Sequence, residues 1–180
     1  DTPDIAPTDL AVLELSSFQL MTMDRSPRIA VMTNLSPNHL DVHKSYGEYI
    51  AAKENIFTHQ SAQDIAVFNA DNEVTAALAK KALGRVRLFS RQREVADGVF
   101  LRGTSVVARS DGAERVVMDT SDIQLPGVHN IENYLAAIAG LTRYPASAAG
   151  RPLPRWTAWC PTRSSGTLPG PSAAWSIGSS

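Results

Sequence analysis

Asp64-Ile-Ala-Val-Phe-Asn69, a helical pattern over 72–83, and then Arg85-Val-Arg-Leu-Phe89 form the stretch that decides the fold. The two flanking runs are short and apolar, too brief for helices and suited to strands covered on both faces. Two such strands joined by a helix make a βαβ unit, which implies a parallel sheet. On the N-terminal side, Arg28-Ile-Ala-Val-Met-Thr33 and Leu10-Ala-Val-Leu-Glu-Leu15 read as two further strands. A helix is predicted over 45–59, opened by Ser45-Tyr-Gly-Glu48 as a capping box. On the other side, residues 98–101, 105–108 and 115–118 form short alternating runs, with Asp111-Gly112 as a hairpin signal between the last two. A last helix is predicted from about Asn130 to Arg143. The expected fold class is α/β, a mostly parallel sheet with helices on both faces plus a small antiparallel hairpin region.

Charge and composition exclude several roles. The 180 residues carry a formal net charge of −1, which gives no reason to expect a nucleic-acid or anionic-membrane partner. No apolar run approaches the roughly 20 residues that span a bilayer, and no signal peptide opens the chain, whose first residue is Asp1. The single cysteine, Cys160, cannot form an internal disulfide, which fits a reducing cytoplasm. All 18 acidic residues lie at or before Glu132. Residues 144–180 are rich in Pro, Gly and Ser, hold all three tryptophans, and show no helical or strand period. Two readings of this tail stand: a disordered extension, or an out-of-frame translation that carries no fold information.

Ligands of open parallel sheets bind at the carboxyl ends of strands, so the residues just after each strand come first. Glu14, in Glu14-Leu-Ser-Ser-Phe-Gln19, is a carboxylate at such an end, suited to a divalent cation or simply a polar edge residue. His39, Asp41 and His43 at spacing two would point one way on an extended segment, as a metal triad or as a solvated polar loop. Lys53 falls within the apolar stripe of the 45–59 helix, at helical spacing from Tyr46, Tyr49 and Ile50. Its ammonium either snorkels to the rim or, desolvated, becomes a neutral amine available for chemistry.

Glu14-Leu-Ser-Ser-Phe-Gln-Leu20, Thr33-Asn-Leu-Ser-Pro-Asn-His-Leu-Asp41, Tyr49-Ile-Ala-Ala-Lys53, Asn69-Ala-Asp71 and Gly127-Val-His-Asn-Ile-Glu-Asn133 resemble, in order and spacing, the central domain of the Mur ligases. The resemblance covers about residues 9–143 and assigns 1–143 to a partial ATP-binding central domain, with 144–180 outside it. It implies cytoplasmic amide-bond ligation in peptidoglycan synthesis, with ATP and Mg²⁺ as cofactors and a carboxyl substrate activated as an acyl phosphate. Ser16-Ser-Phe-Gln19 is similar to the branch that joins D-glutamate to UDP-N-acetylmuramoyl-L-alanine, whose parent enzymes are monomers. By the same resemblance Glu14 and His39 hold metals, and Lys53 is carbamylated to steady the second one. Asn130 and Asn133 approach the adenine of ATP, with helix capping as the other reading of both, while Ser16 and Gln19 face the UDP-sugar.

The sequence departs from that pattern in one decisive respect. A Mur ligase needs a glycine-rich phosphate loop ending in Gly-Lys-Thr or Gly-Lys-Ser ahead of Glu14, and no Gly-Lys pair occurs in the chain. The expectation is therefore a ligase fragment that is inactive alone. Two other readings remain: a metal-dependent hydrolase built on His39, Asp41 and His43, and a non-catalytic remnant.

Overall fold

The computed structural model describes residues 11–36, 45–125 and 127–141. The elements run α1 (Ser17–Met21), β1 (Ile29–Met32), α2 (Tyr46–Thr58), β2 (Ile65–Asn69), α3 (Glu73–Leu78), β3 (Arg85–Ser90), β4 (Gly98–Arg102), β5 (Ser105–Ser110), β6 (Ala113–Asp119) and α4 (Val128–Leu141). The six strands form one sheet in chain order, β1 to β6. The pairs β1–β2, β2–β3 and β3–β4 are parallel, while β4–β5 and β5–β6 are antiparallel.

Strand β2 shows why the sheet is covered twice. Ala66, Val67 and Phe68 are all fully buried, as expected for a strand between two helical layers. Val67 packs with Phe89, Val99 and Leu135, Ala136, Ile138 and Ala139 of α4 on one face. Ala66 and Phe68 pack with Tyr49 and Phe57 of α2 and Leu78 of α3 on the other. Burying one side chain the size of Phe68 or Leu135 is worth about 1.5–3 kcal/mol.

Parallel neighbours ordinarily need a crossover of about a dozen residues or more, yet residues 91–97 alone join β3 to β4. The register explains it. Gly98 pairs with Leu88 and Phe100 with Ser90, so β4 overlaps only the end of β3 and then runs past it. Beyond β3, Phe100, Val107, Val95 and Ala70 form a small cluster of their own. The Arg102 and Arg109 guanidiniums lie over the Phe100 ring, 5.2 and 4.8 Å from its centroid. Glu94 and Glu114 bind both arginines, tying the 91–97 connection to the antiparallel strands.

The β5–β6 turn is Asp111-Gly112, with φ of 52° and 79°, the two positive values of a type I′ hairpin. A bulge interrupts the same pair of strands, since Val106 pairs with Met118 but Val107 with Val116.

Most expected elements are found within a residue or two, but the helix expected over 72–83 ends at Leu78 and gives way to a 3₁₀ turn, Ala79–Lys81. The last helix begins at Val128, earlier than expected, and its expected end at Arg143 lies outside the described residues. One strand must be corrected. Residues 11–15 form no strand, and Leu13 is 75% exposed. An apolar run becomes a strand only through ladder bonds to a neighbour, and among the described residues the sheet ends at β1. The five-residue α1, in contrast, is not announced by the sequence pattern. The described residues from Ser16 onward form one compact unit, and residues 11–15 are not part of it. The expectations for 144–180 lie outside the described residues. Among those described, no helix is long and apolar enough to cross a membrane.

Candidate functional site

The carboxyl ends of β1, β2 and β3 carry a linked set of polar side chains. Asn69, buried at the end of β2, donates from Nδ2 to Asn34 Oδ1 (3.1 Å) and accepts the Asp71 backbone N–H on Oδ1 (2.9 Å). The Thr75 hydroxyl donates to the Asn69 carbonyl (2.6 Å), fastening α3 to the strand end. Asn72 caps α3 through the Thr75 N–H and donates to the Leu35 carbonyl (3.0 Å), which holds the segment after β1.

Asp71 links this group to β3. Its carboxylate accepts from the Ser90 hydroxyl (2.6 Å) and from the backbone N–H groups of Arg91 (2.7 Å) and Gln92 (3.3 Å). The Arg93 guanidinium donates to the Ala70 carbonyl. Arg91 Nε then reaches Glu132 Oε1 on α4 at 3.3 Å, both side chains being half-buried. The beginning of α4 therefore lies against the carboxyl end of β3.

The expected site residues occupy different parts of this frame. Lys53 is half-buried on α2, four residues after buried Tyr49 and four before fully buried Phe57, so it belongs to the inward side of the helix. Burial and then the adjacent Tyr46 push the Tyr49 phenol above the ordinary tyrosine range. Ser45 caps α2 by accepting the Glu48 N–H at 3.1 Å, which is the expected half of its capping box. Asn130 and Asn133 are half-buried and share one face of α4 near its N-terminus. Ser16 and Gln19 bind one another. Ser16 Oγ accepts the Gln19 N–H (3.3 Å), and Gln19 Oε1 accepts the Ser16 N–H (2.9 Å), a complete capping box at the start of α1.

Glu14 is exposed and lies outside the compact unit that begins at Ser16. His39, Asp41 and His43 lie outside the described residues. Among the described residues no three His, Cys, Asp or Glu side chains group as a metal site. Of the three residues expected to hold metal, the described part of residues 16–152 contributes Lys53 alone.

Two features escape a reading of the sequence. Asp71 stands in a recognisable motif without a role there, although Asn72 and Thr75 after it have helix-cap spacing. The Arg91–Glu132 contact joins residues 41 apart in the chain, a separation that no local pattern reports.

Comparison with known proteins agrees with this architecture. The Mur ligase middle domain family matches residues 4–141. UDP-N-acetylmuramoylalanine–D-glutamate ligase of Acetivibrio thermocellus is 52% identical over 138 residues, covering 77% of this chain and 30% of that enzyme. The ligase of the same name from Clostridium kluyveri is 50% identical over 141 residues, covering 78% and 30%. The solved structure of UDP-N-acetylmuramoyl-L-alanyl-D-glutamate–2,6-diaminopimelate ligase superposes with a TM-score of 0.53 at 25% identity, covering 69% of this chain and 27% of that one. The chain thus spans about 30% of the length of the curated relatives it matches. With a family match over residues 4–141 and a sheet of the same fold, the chain belongs to the Mur ligase family, as its middle domain.

Proposed function

We propose that this chain is the central part of an ATP-dependent ligase that joins D-glutamate to UDP-N-acetylmuramoyl-L-alanine through an acyl phosphate. The observation that carries this reading is the 52% identity, over 77% of the chain, to an enzyme named for that reaction. In the proposed reaction a carboxylate oxygen takes the terminal phosphoryl group of ATP, and ADP leaves. The amine of D-glutamate then attacks the acyl carbon, and phosphate departs from the tetrahedral intermediate. ATP supplies the phosphoryl group and Mg²⁺ neutralises its charge. Because the described residues do not assemble a metal site, the roles proposed for this chain are those of its own side chains.

Lys53 is proposed as the carbamylated residue. Its ammonium gives up one proton, and the neutral amine then adds CO₂ and releases a second, which turns a cation into a carboxylate-like anion. Half-burial between Tyr49 and Phe57 supports that role, because desolvation favours the neutral amine that reacts. Glu14 is proposed to hold one Mg²⁺, and His39 a second that the Lys53 carbamate would steady. Asn130 and Asn133 offer amide donors and acceptors to an adenine edge from one face of α4. Ser16 and Gln19, both exposed, are proposed to face the UDP-sugar, which requires them to exchange their mutual hydrogen bonds for substrate.

The test is made in a full-length protein containing this chain. Lys53→Ala abolishes ligation and short-chain carboxylates partly restore it, whereas Lys53→Arg is inactive and not restored, since a guanidinium keeps its charge. A fully active Lys53→Arg enzyme refutes the assignment. The 180 residues alone are expected to give no turnover, because no Gly-Lys loop is present to cradle the transferring phosphoryl group with its lysine and backbone amides. ADP release that requires all three substrates refutes that expectation.

A further inference from the structure

The polar set at the strand ends includes one carboxylate that the proposed chemistry leaves unused. We propose that Asp71, acting through Arg91 and Glu132, is a positioning residue that holds the first turn of α4 at the end of β3, and so the presentation of Asn130 and Asn133. The use of that presentation rests on the nucleotide role proposed above; the relay itself does not.

Asp71 is held from one side by the Asn69 amide oxygen, which accepts its backbone N–H at 2.9 Å. On the other side it gathers three donors from a single turn, Ser90 Oγ and the N–H groups of Arg91 and Gln92. Ser90 Oγ in turn accepts the N–H groups of Gln92 (3.1 Å) and Arg93 (2.9 Å). The backbone of Arg91 is thereby fixed where β3 ends. From there its side chain meets Glu132, with 32% and 20% of the two side chains exposed. A pair so placed is weakly screened and directional, unlike a surface ion pair.

The position of Glu132 on the helix gives the contact its consequence. By helical spacing Glu132 lies on the side of Ala136 and Ala139, both fully buried against the sheet. Asn130, Asn133 and Ala137, all half-buried, lie on the other side. Leu135, Ile138 and Ala139 pin the later turns of α4 in the core, but no residue of the helix before Leu135 is fully buried, so packing holds its first turn less firmly. The Arg91–Glu132 contact tethers that turn. Losing it loosens the turn that carries both asparagines.

The experiment is hydrogen exchange on the whole 180-residue chain, comparing wild type with Asp71→Asn, Arg91→Gln, Arg91→Lys and the double variant Asp71→Asn/Arg91→Gln. Asp71→Asn and Arg91→Gln are each expected to speed exchange over residues 131–135 about tenfold, while amides in α2 and β2 keep their wild-type rates. The double variant exchanges no faster than either single one, because both act in one relay. Arg91→Lys recovers part of the protection. Unchanged exchange at 131–135, acceleration spread evenly over α2, β2 and α4, or additive effects overturn the proposal. If Asp71→Asn fails to fold, Arg91→Gln carries the test, since it leaves the backbone cap intact. ATP titration separates the two ideas. A wild-type chain without ATP affinity counts against the nucleotide reading and leaves the relay to be judged by exchange. ATP binding that is equally tight in wild type and Arg91→Gln overturns the relay's role in presenting the asparagines.

Discussion

Gly98→Ala is the substitution whose cost can be worked most directly from the structure. Gly98 has φ of +140°, and a Cβ added there would stand 1.8 Å from the Leu88 carbonyl oxygen and 2.7 Å from the Leu88 nitrogen. Both are backbone atoms of the adjacent strand, so no side chain can swing aside. Relief requires β4 to move off β3, which breaks the Leu88–Gly98 pairing and the Leu88 N–H bond to the Asp97 carbonyl. The strained φ costs about 1–3 kcal/mol. Overpacking adds about 1–3 kcal/mol, and a lost ladder bond about 1 kcal/mol. The sum, about 3–7 kcal/mol, is a large share of the roughly 5–15 kcal/mol that holds a domain together. Thermal unfolding followed by far-UV circular dichroism should show a fall in Tm of about 10–20 °C. Gly112→Ala is the control. Its φ is also positive, at +79°, but nothing lies within 4 Å of the added carbon. Strain alone then applies, about 1 kcal/mol and a fall of a few degrees. If Gly98→Ala melts no lower than Gly112→Ala, the close approach of β4 to β3 is wrong.

Other substitutions test the packing and electrostatics. Arg87, buried beneath α4, donates to the Ala139 carbonyl at 2.9 Å near the end of that helix. Arg87→Met should lower stability by about 2–4 kcal/mol in urea unfolding, and an unchanged midpoint would count against the anchor. Hydrogen bonds from Arg102 and then Arg109 hold the Glu94 carboxyl down at about 2. A group depressed in this way contributes stability that is full above its ordinary value of 4.5 and is lost as pH falls towards 2. Glu94→Gln should therefore flatten the pH dependence of the urea midpoint across that window; an identical slope in wild type and variant refutes the network. Ser16→Ala removes one half of a capping box and should destabilise α1 by about 1 kcal/mol, read as faster amide exchange confined to residues 17–21.

The parallel strands are legible in the sequence because each buries both faces, and the apolar runs at β1, β2 and β3 state that requirement without help from context. Residues 11–15 have the same texture but pair with no strand among the described residues, and pairing is a property of two segments rather than one. Ser16 and Gln19 carry the spacing of a capping box in plain view. The helix they open is only five residues long, too short to leave a periodic signal that would point to it. Arg87 alternates with apolar neighbours and so resembles a solvent-facing residue, whereas α4 covers it. Lys53 is legible through its helical stripe. The relay from Asp71 to Glu132 is not, because it exists only once β2, β3 and α4 are side by side.

The sheet keeps its strands in the order of the chain, and this bears on how the domain assembles. Closing β5 on β6 spans two residues, as does closing β4 on β5, while β3–β4 uses residues 91–97, β2–β3 residues 70–84, and β1–β2 residues 33–64. The entropy lost in closing a loop rises with its length, so the cost of adding each strand climbs steadily from β6 towards β1. Nucleation accordingly belongs to the β4–β6 meander, and growth runs backwards along the chain. Substitutions at Val106 or Val107 should slow folding, while those at Ala30 or Met32 should chiefly hasten unfolding. The reverse pattern would place the nucleus among the parallel strands. On this polarity the half of the sheet bearing the strand ends, with Asn34, Asn69 and Asp71, is the last to acquire its native order and the first to lose it.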